Sequence, residues 1–407
     1  MDRLTQVINT AVPAKDYGTL SRVFSDHFGS PDSWQSVGQG EQRSLAAHFI
    51  VRATSEPGFL PAAFSSAEMM RVMTSVLGHL PATVDNAADN QLRQLLFDYL
   101  ISGQDGNDPD FSGAARVLAG MRMEADDTNN VYYMSAANRT DVFVRQAECF
   151  LAEDSIAESD AATQKAGAIV ESIPNKEQHL ALILRYKSTY ARVLDSNRKF
   201  LAAAQRYHEL SSPANEQLID ADDLLQMLGR AATCAILAPS GPLRARVLGH
   251  IYQDARLARL DSLPEFQTHG AILRKMHRHM LLPPQELQQF EASLADHQKA
   301  LMGDGLTIME RGVVEHNMIA VSQLYQSIYL QDLARILGVT VVRAESIAAT
   351  MIVEGSLQGT LDQVEQLLIL QGGGDNDAPE DNWDRSITGF CLELNRTVDA
   401  VSAASSG

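Results

Sequence analysis

Two histidines two positions apart, His277 and His279, followed by Ser293-x-x-Asp296, are the side chains of this chain best suited by type and spacing to do chemistry. Imidazole nitrogens and a carboxylate are zinc ligands, and a zinc-held water is a hydrolytic nucleophile. Histidines at i and i+2 converge on one metal from a strand. The run Ala271–Leu281 has the pattern of a helix instead, where that spacing turns the two rings about 200° apart around the axis. Thirteen residues also separate His279 from Ser293, a longer gap than this kind of zinc site has. Surface or half-buried histidines are therefore expected. Glu315-His316 lacks the second histidine of HExxH. No GxxxxGK[ST], GxGxxG or GxSxG stands in a supporting context, so neither a phosphate-cradling loop nor a nucleophile elbow is expected. Cys149, Cys234 and Cys391 lie far apart with no CxxC pair and read as core thiols in a reducing compartment. No catalytic, cofactor-binding or metal-binding set emerges, and the chain is read as a non-enzyme.

The bulk properties exclude further classes. A formal charge of −18 over 407 residues argues against a nucleic-acid ligand, because neutralising phosphates leaves a basic face or a high pI. The start Met1-Asp2-Arg3-Leu4-Thr5 has no basic region leading into an apolar run, and nowhere do about 18 apolar residues follow one another. A protein of cytoplasm and nucleus, without membrane contact, is expected.

The elements that would carry any function are helices. Leu92, Leu95, Leu96, Tyr99 and Leu100 put one apolar stripe on one helical face, and almost nothing alternates with period two. Met69, Met70 and Met73 read as core filler in the same pattern. Ser102 to Pro109 supplies turn chemistry between helices. From Asp141 the helices fall into pairs: Asp141–Leu151 with Ala161–Ile173, Glu177–Leu194 with Lys199–Leu210, and Ala221–Leu237 with Leu243–Ala255. Their repeat of roughly 40 residues is that of helix-hairpin solenoids. In the middle pair Tyr186, Tyr190, Val193 and Leu194 precede a turn, Asp195-Ser196-Asn197-Arg198. Phe200, Ala203, Ala204 and Tyr207 are expected to face back across it.

After Gly303 the pattern changes. A long helix, Ile308–Tyr325, leads into the short helix 330–337 closed by Gly338, then a second helix from Val341 to Glu354. Leu333, Leu337, Ala344, Ile347, Ala348, Met351 and Ile352 face inward as a helix-turn-helix core requires. The run Gly355 to Asp362, followed by Val364 and Leu367 to Leu370, reads as two short strands with a turn between them, the wing of a winged helix. Residues 372–381 form an acidic, glycine-rich tether. Beyond it Trp383, Ile387, Phe390, Leu394, Val398 and Val401 recur at spacings of three and four, an apolar stripe that must be buried on something.

Helix pairs ending in a winged helix resemble the PCI family, whose module is shared by the proteasome lid, the COP9 signalosome and translation initiation factor 3. Tyr190-Ala191-Arg192-Val193-Leu194-Asp195 with Arg198-Lys199-Phe200 and 203–207, His297-Gln298-Lys299-Ala300 with Val314-Glu315-His316-Asn317, and Ala344-Glu345-Ser346-Ile347-Ala348 with 351–355 and Leu361-Asp362-Gln363 are similar to the signalosome branch of that family. The fold so implied is all-α: a right-handed, TPR/HEAT-like helical-repeat solenoid, a winged helix with a small β wing, and a C-terminal helix. The expected organisation is an N-terminal arm over 1–140, the helical part of the PCI domain over 141–305, its winged helix over 306–370, a linker over 371–382 and an assembly helix over 383–403.

The resemblance implies a scaffold, without cofactor, in the complex that removes the ubiquitin-like modifier from cullins. Its expected partners are other signalosome subunits, metalloprotease-like ones included, and the cullin–RING ligase through the N-terminal arm. A PCI subunit of the proteasome lid or of translation initiation factor 3 is the alternative, ahead of a winged-helix nucleic-acid binder. The recognition-helix candidate carries one base, Arg343, against Glu345 and Glu354, too little for phosphate positioning. Between Leu357 and Leu370 there is neither proline nor lysine to protect a strand edge. The wing is therefore expected to add a neighbour's strand, with Leu357, Leu361, Val364, Leu368 and Ile369 supplying contacts. The C-terminal stripe is expected to pack among partner helices.

Overall fold

A computed structural model describes residues 88–370, apart from 103–107, 126–131, 216, 217, 261 and 304, together with the single positions 22, 73 and 77. The expected C-terminal helix, with Trp383, Ile387, Phe390, Leu394, Val398 and Val401, lies outside the described residues, as do the tether and Met69 and Met70. Met73 is buried. The described residues are helical apart from one small sheet, and the chain divides into two compact units, Met1–Asn197 and Arg198–Gly407.

The first unit is a run of helices packed on their sequence neighbours. Helix α1 (Ala88–Ser102) buries Leu92, Leu96 and Leu100 against α2 (Phe111–Ala119). The Asp110 side chain starts α2 by accepting a hydrogen bond from the Gly113 N–H, supplying one of the partners a helix start lacks. Helices α3 (Ala136–Ala152) and α4 (Ile156–Val170) form the tightest pair, because Ala147, Ala162 and Ala166 offer no bulk at the crossing. The Ser159 hydroxyl donates to the Ala147 carbonyl across it at 2.9 Å. Helix α5 (Leu180–Ser196) is registered on α3 by a bidentate contact of Arg185 with the Glu148 carboxylate.

In the second unit α6 (Phe200–Leu210) packs on α7 (Ala221–Leu237), and Phe200, Ala203, Ala204 and Tyr207 are all buried. Pairing after the 195–198 turn is thus α6 with α7. From Leu228 to Leu237 every residue of α7 except Arg230 is buried, as expected of a helix surrounded on all sides. Around it stand α8 (Pro242–Tyr252), α9 (Leu257–Leu260), α10 (His269–His277) and α12 (Ile308–Leu324). Helix α11 (Pro284–Ser293) lies between α10 and α12 in the chain. Thr307 and Glu310 close a capping box at the head of α12.

Helices α13 (Leu330–Leu337) and α14 (Val341–Val353) follow, and Gly338 ends the first in the left-handed conformation, φ 70°, that spares a glycine the Cβ penalty. The sheet has three strands, not the two expected. Strand β3 (Leu367–Leu370) is central, with β1 (Ser327–Tyr329) on one side and β2 (Gly359–Asp362) on the other, all antiparallel. Ile328, Leu368 and Leu361 lie in one row across the sheet and turn inward. There they join Val314, Met318, Leu330, Leu333, Ala344, Ile347 and Met351 in a single core.

Among the described residues no single helix is long and apolar enough to cross a membrane. The bent pair α13–α14 is apolar because it forms this core. Gly359 is required by close approach, since a Cβ there would sit 2.6 Å from the Ile369 carbonyl oxygen on the neighbouring strand. Gly359→Ala is expected to lower stability by about 1–3 kcal/mol, read as a lower thermal midpoint with unchanged helicity.

Candidate functional site

Three consecutive polar residues in the middle of α12, Glu315, His316 and Asn317, are all buried between Val314 and Met318. A helix cannot turn three successive side chains to one face, so one contacting segment does not serve all three. The Glu315 carboxylate accepts from the Ser240 N–H at 3.1 Å and from Arg311 Nε at 3.0 Å. His316 Nε2 lies 2.9 Å from the Met280 carbonyl. The Asn317 amide both accepts from and donates to the Leu282 backbone, at 2.8 and 3.1 Å. The α7–α8 loop and the 280–282 segment are thus latched onto the helix that opens the winged helix.

Beneath the latch lies Arg244, 3 % exposed. Its Nε and Nη2 donate to the carbonyls of Ala235 and Ile236 at 3.1 and 2.8 Å, satisfying acceptors that the last turn of α7 leaves orphaned. Burial pulls the Arg244 guanidinium down to about 10, against the opposing pull of Glu315. Burial also pulls the His316 imidazole down to about 4, reinforced by Arg244 and His279 and opposed by its bond to Met280. His269 falls to about 4 by burial; its Nε2 stands 2.9 Å from the Thr233 hydroxyl.

The zinc-like residues fare differently from one another. Helix α10 ends at His277, so His279 is not helical as expected; it sits in a turn with φ 51°. His277 stacks on Tyr252 and His279 on His316. The Ser293 hydroxyl is spent on the Phe290 carbonyl, and Asp296 opens a short 3-10 helix. Among the described residues no group of three or more His, Cys, Asp or Glu side chains could hold a metal ion.

The wing residues also divide. Leu357 and Leu368 belong to the core of the winged helix itself and Leu361 packs against it, so these three are not free for a partner. Leu368 stands on the central strand, where both edges are already paired; the open edges are those of β1 and β2. Val364, at the tip of the turn, is 90 % exposed, and Ile369 faces outward with Tyr329. The Asp362 carboxylate closes that turn by accepting from the Val364 and Glu365 N–H groups. On α14, Val342 and Val353 are exposed and eleven residues apart, hence on one face. Glu345 accepts from Gln363 of the wing.

The helical units and winged helix, with no convergent reactive set among the described residues, define a PCI-domain protein. Residues 288–371 match the PCI domain model, and residues 91–220 match the PSMD12/CSN4, N-terminal model. The chain is 34 % identical over 291 residues to COP9 signalosome complex subunit 4 of Drosophila melanogaster, which covers 72 % of this chain and 66 % of that one. The same subunit of Arabidopsis thaliana is 33 % identical over 74 % of this chain and 72 % of its own length, and that of Emericella nidulans is 30 % identical over 77 % and 73 %. The chain belongs to the COP9 signalosome complex subunit 4 family.

The latch signals itself in the sequence only as a polar run inside an apolar helix. Glu315→Gln is expected to cost about 1–3 kcal/mol, because it breaks the ion pair with Arg311 and removes the negative charge that offsets buried Arg244; urea denaturation reads this. The native state holds His316 and His269 neutral below the ordinary value of 6.5. The unfolded chain therefore binds more protons between pH 6.5 and about 4. The stability these groups contribute is complete above about 6.5 and is lost as pH falls toward about 4. His316→Gln should flatten that slope in denaturation curves at pH 7 and pH 5.

Proposed function

We propose that the chain is a non-catalytic scaffold of the COP9 signalosome, supporting removal of the ubiquitin-like modifier from cullins in cullin–RING ligases. The observation that carries this reading is the outer surface of the winged helix. Val342 and Val353 on α14, Val364 at the wing tip, and Tyr329 and Ile369 on the sheet are large apolar groups in solvent. Such a surface fits protein contact. A phosphate-reading surface needs cations, and the helix that would enter a groove carries Arg343 beside Glu345.

Neighbouring signalosome subunits dock, in this proposal, on the winged helix, with an added strand at the open edge of β1 or β2. The central strand β3 is not the joint. The stripe Trp383, Ile387, Phe390, Leu394, Val398 and Val401 joins partner helices, and residues 1–140 reach the cullin–RING ligase. Residues 141–305 and 306–370 act as the PCI domain, tethered through 371–382. Cytoplasm and nucleus are the proposed compartments.

Co-purification of the tagged chain with its partners tests the proposal. Val364→Asp with Ile369→Asp should weaken one winged-helix contact by tenfold or more, since burying each such side chain is worth about 1.5–3 kcal/mol. Phe390→Asp with Leu394→Asp should abolish incorporation while the chain keeps its helicity. Normal recovery of all partners by either double variant sinks the corresponding contact. Metal analysis after dialysis against a weak chelator should find no stoichiometric zinc; one zinc per chain overturns the non-catalytic assignment.

A further inference from the structure

A cavity of about 150 Å³ opens where the start of α8, the turn after α10 and the middle of α12 meet. Ser240, Arg244, His277, His279 and His316 supply its polar lining, and no carboxylate lines it. Ala245, Leu248, Met276 and Ile319 line it as well, and most of its surface is apolar. Two of the polar groups are buried yet incompletely used. Arg244 spends Nε and Nη2 on the end of α7, and its Nη1 makes no hydrogen bond among the described residues. His316 is 4 % exposed. Its Nε2 must carry the proton, because the Met280 carbonyl only accepts. That leaves Nδ1 as the ring's uncommitted atom, with no partner among the described residues. The first turn of α8 adds the partial positive charge of a helix start.

Glu315, whose charge acts on Arg244 without a direct contact, gives its oxygens to Ser240 N–H and Arg311 and stands outside the lining. A buried cation, three imidazoles and a helix start therefore surround a small space, with apolar walls on its remaining sides. We propose that this cavity is a binding site for a single carboxylate on a short apolar stem, with the headgroup on Arg244 and the stem against Leu248 and Ile319. The inference does not rest on the scaffold reading.

Proton linkage follows from the surroundings of His316. Facing it are Arg244 from α8 and His279 from the turn after α10, and both oppose its protonation. Burial lowers His279 in turn, and His277 adds to it. An anion in the cavity offsets those two repulsions, so binding favours the protonated ring and strengthens as pH falls toward the range where the carboxylate itself takes up a proton.

The test is histidine-resolved NMR of the full chain, titrated with butyrate and with glutamate capped at both backbone ends. The expected result is a saturable change confined to His277, His279 and His316, and a rise of about one unit in the midpoint of at least one of them. Binding by the capped glutamate identifies a protein side chain as the source. Binding by butyrate alone identifies a free acid. His279→Asn keeps a residue that tolerates the positive φ there and should weaken binding severalfold without loss of helicity. Arg244→Lys, which is expected to be less stable, should abolish it. Chloride at equal ionic strength producing the same shifts, or neither carboxylate producing any, overturns the site.

Discussion

A guanidinium taken wholly out of water, seated on the last carbonyls of a buried helix, is the constraint from which the second unit is built. Desolvating such a charge costs several kcal/mol unless its donors and its charge are answered. Arg244 answers the orphaned acceptors of α7, and Glu315 supplies the opposite charge from α12. Glu315 in turn holds the Ser240 N–H at the start of α8. Two neighbouring helices, α7 and α8, are thereby tied to α12, some seventy residues further on, through these hydrogen bonds and the pull of Glu315 on the buried charge. His316 and Asn317 extend the tie to the 280–282 segment. The winged helix consequently begins on a helix whose orientation is set inside the helical repeat.

The sheet obeys a related logic. Its central strand comes last in sequence, and the strand on its far side comes before both helices of the helix-turn-helix. The two ladders therefore close around α13 and α14, and Ile328, Leu368 and Leu361 seal the core from outside. This placement commits Leu368 to the interior and leaves the turn 363–366, with Val364, as the projecting tip.

Most of the helical organisation was legible in the sequence because the apolar spacing is strong. The reading Ala221–Leu237 coincides with α7, and the long helix starting at Ile308 and the pair closed by Gly338 were read within a residue or two. Strand β1 was not legible. Ser327-Ile328-Tyr329 is three residues long, and its pairing with Leu367–Ile369 is a contact across about forty positions that no local pattern encodes. The same reason explains the misjudged wing residues: without β1, β3 looks like an edge and Leu368 looks available. His279 was misplaced because its helix stops at His277, and a histidine in the left-handed region carries no sequence mark. Of the candidate site, the polar run 315–317 is visible in the sequence and lies within a stretch similar to the signalosome branch of the family. Its role was not visible, because Ser240, Met280 and Leu282 supply backbone atoms, which side-chain identity does not advertise.

The charge pair also imposes an order on the chain as it is made. Glu315 follows Arg244 by about seventy residues, so at about 5–20 residues per second the guanidinium waits on the order of ten seconds before its counter-ion exists. During that interval α7 and α8 emerge, but burying the cation between them is unfavourable without Glu315. The stack gains its opposite charge when α12 leaves the ribosome, and with it arrives the opening segment of the next subdomain. In the sequence of synthesis, the first helix of the winged helix is the last piece of the helical repeat.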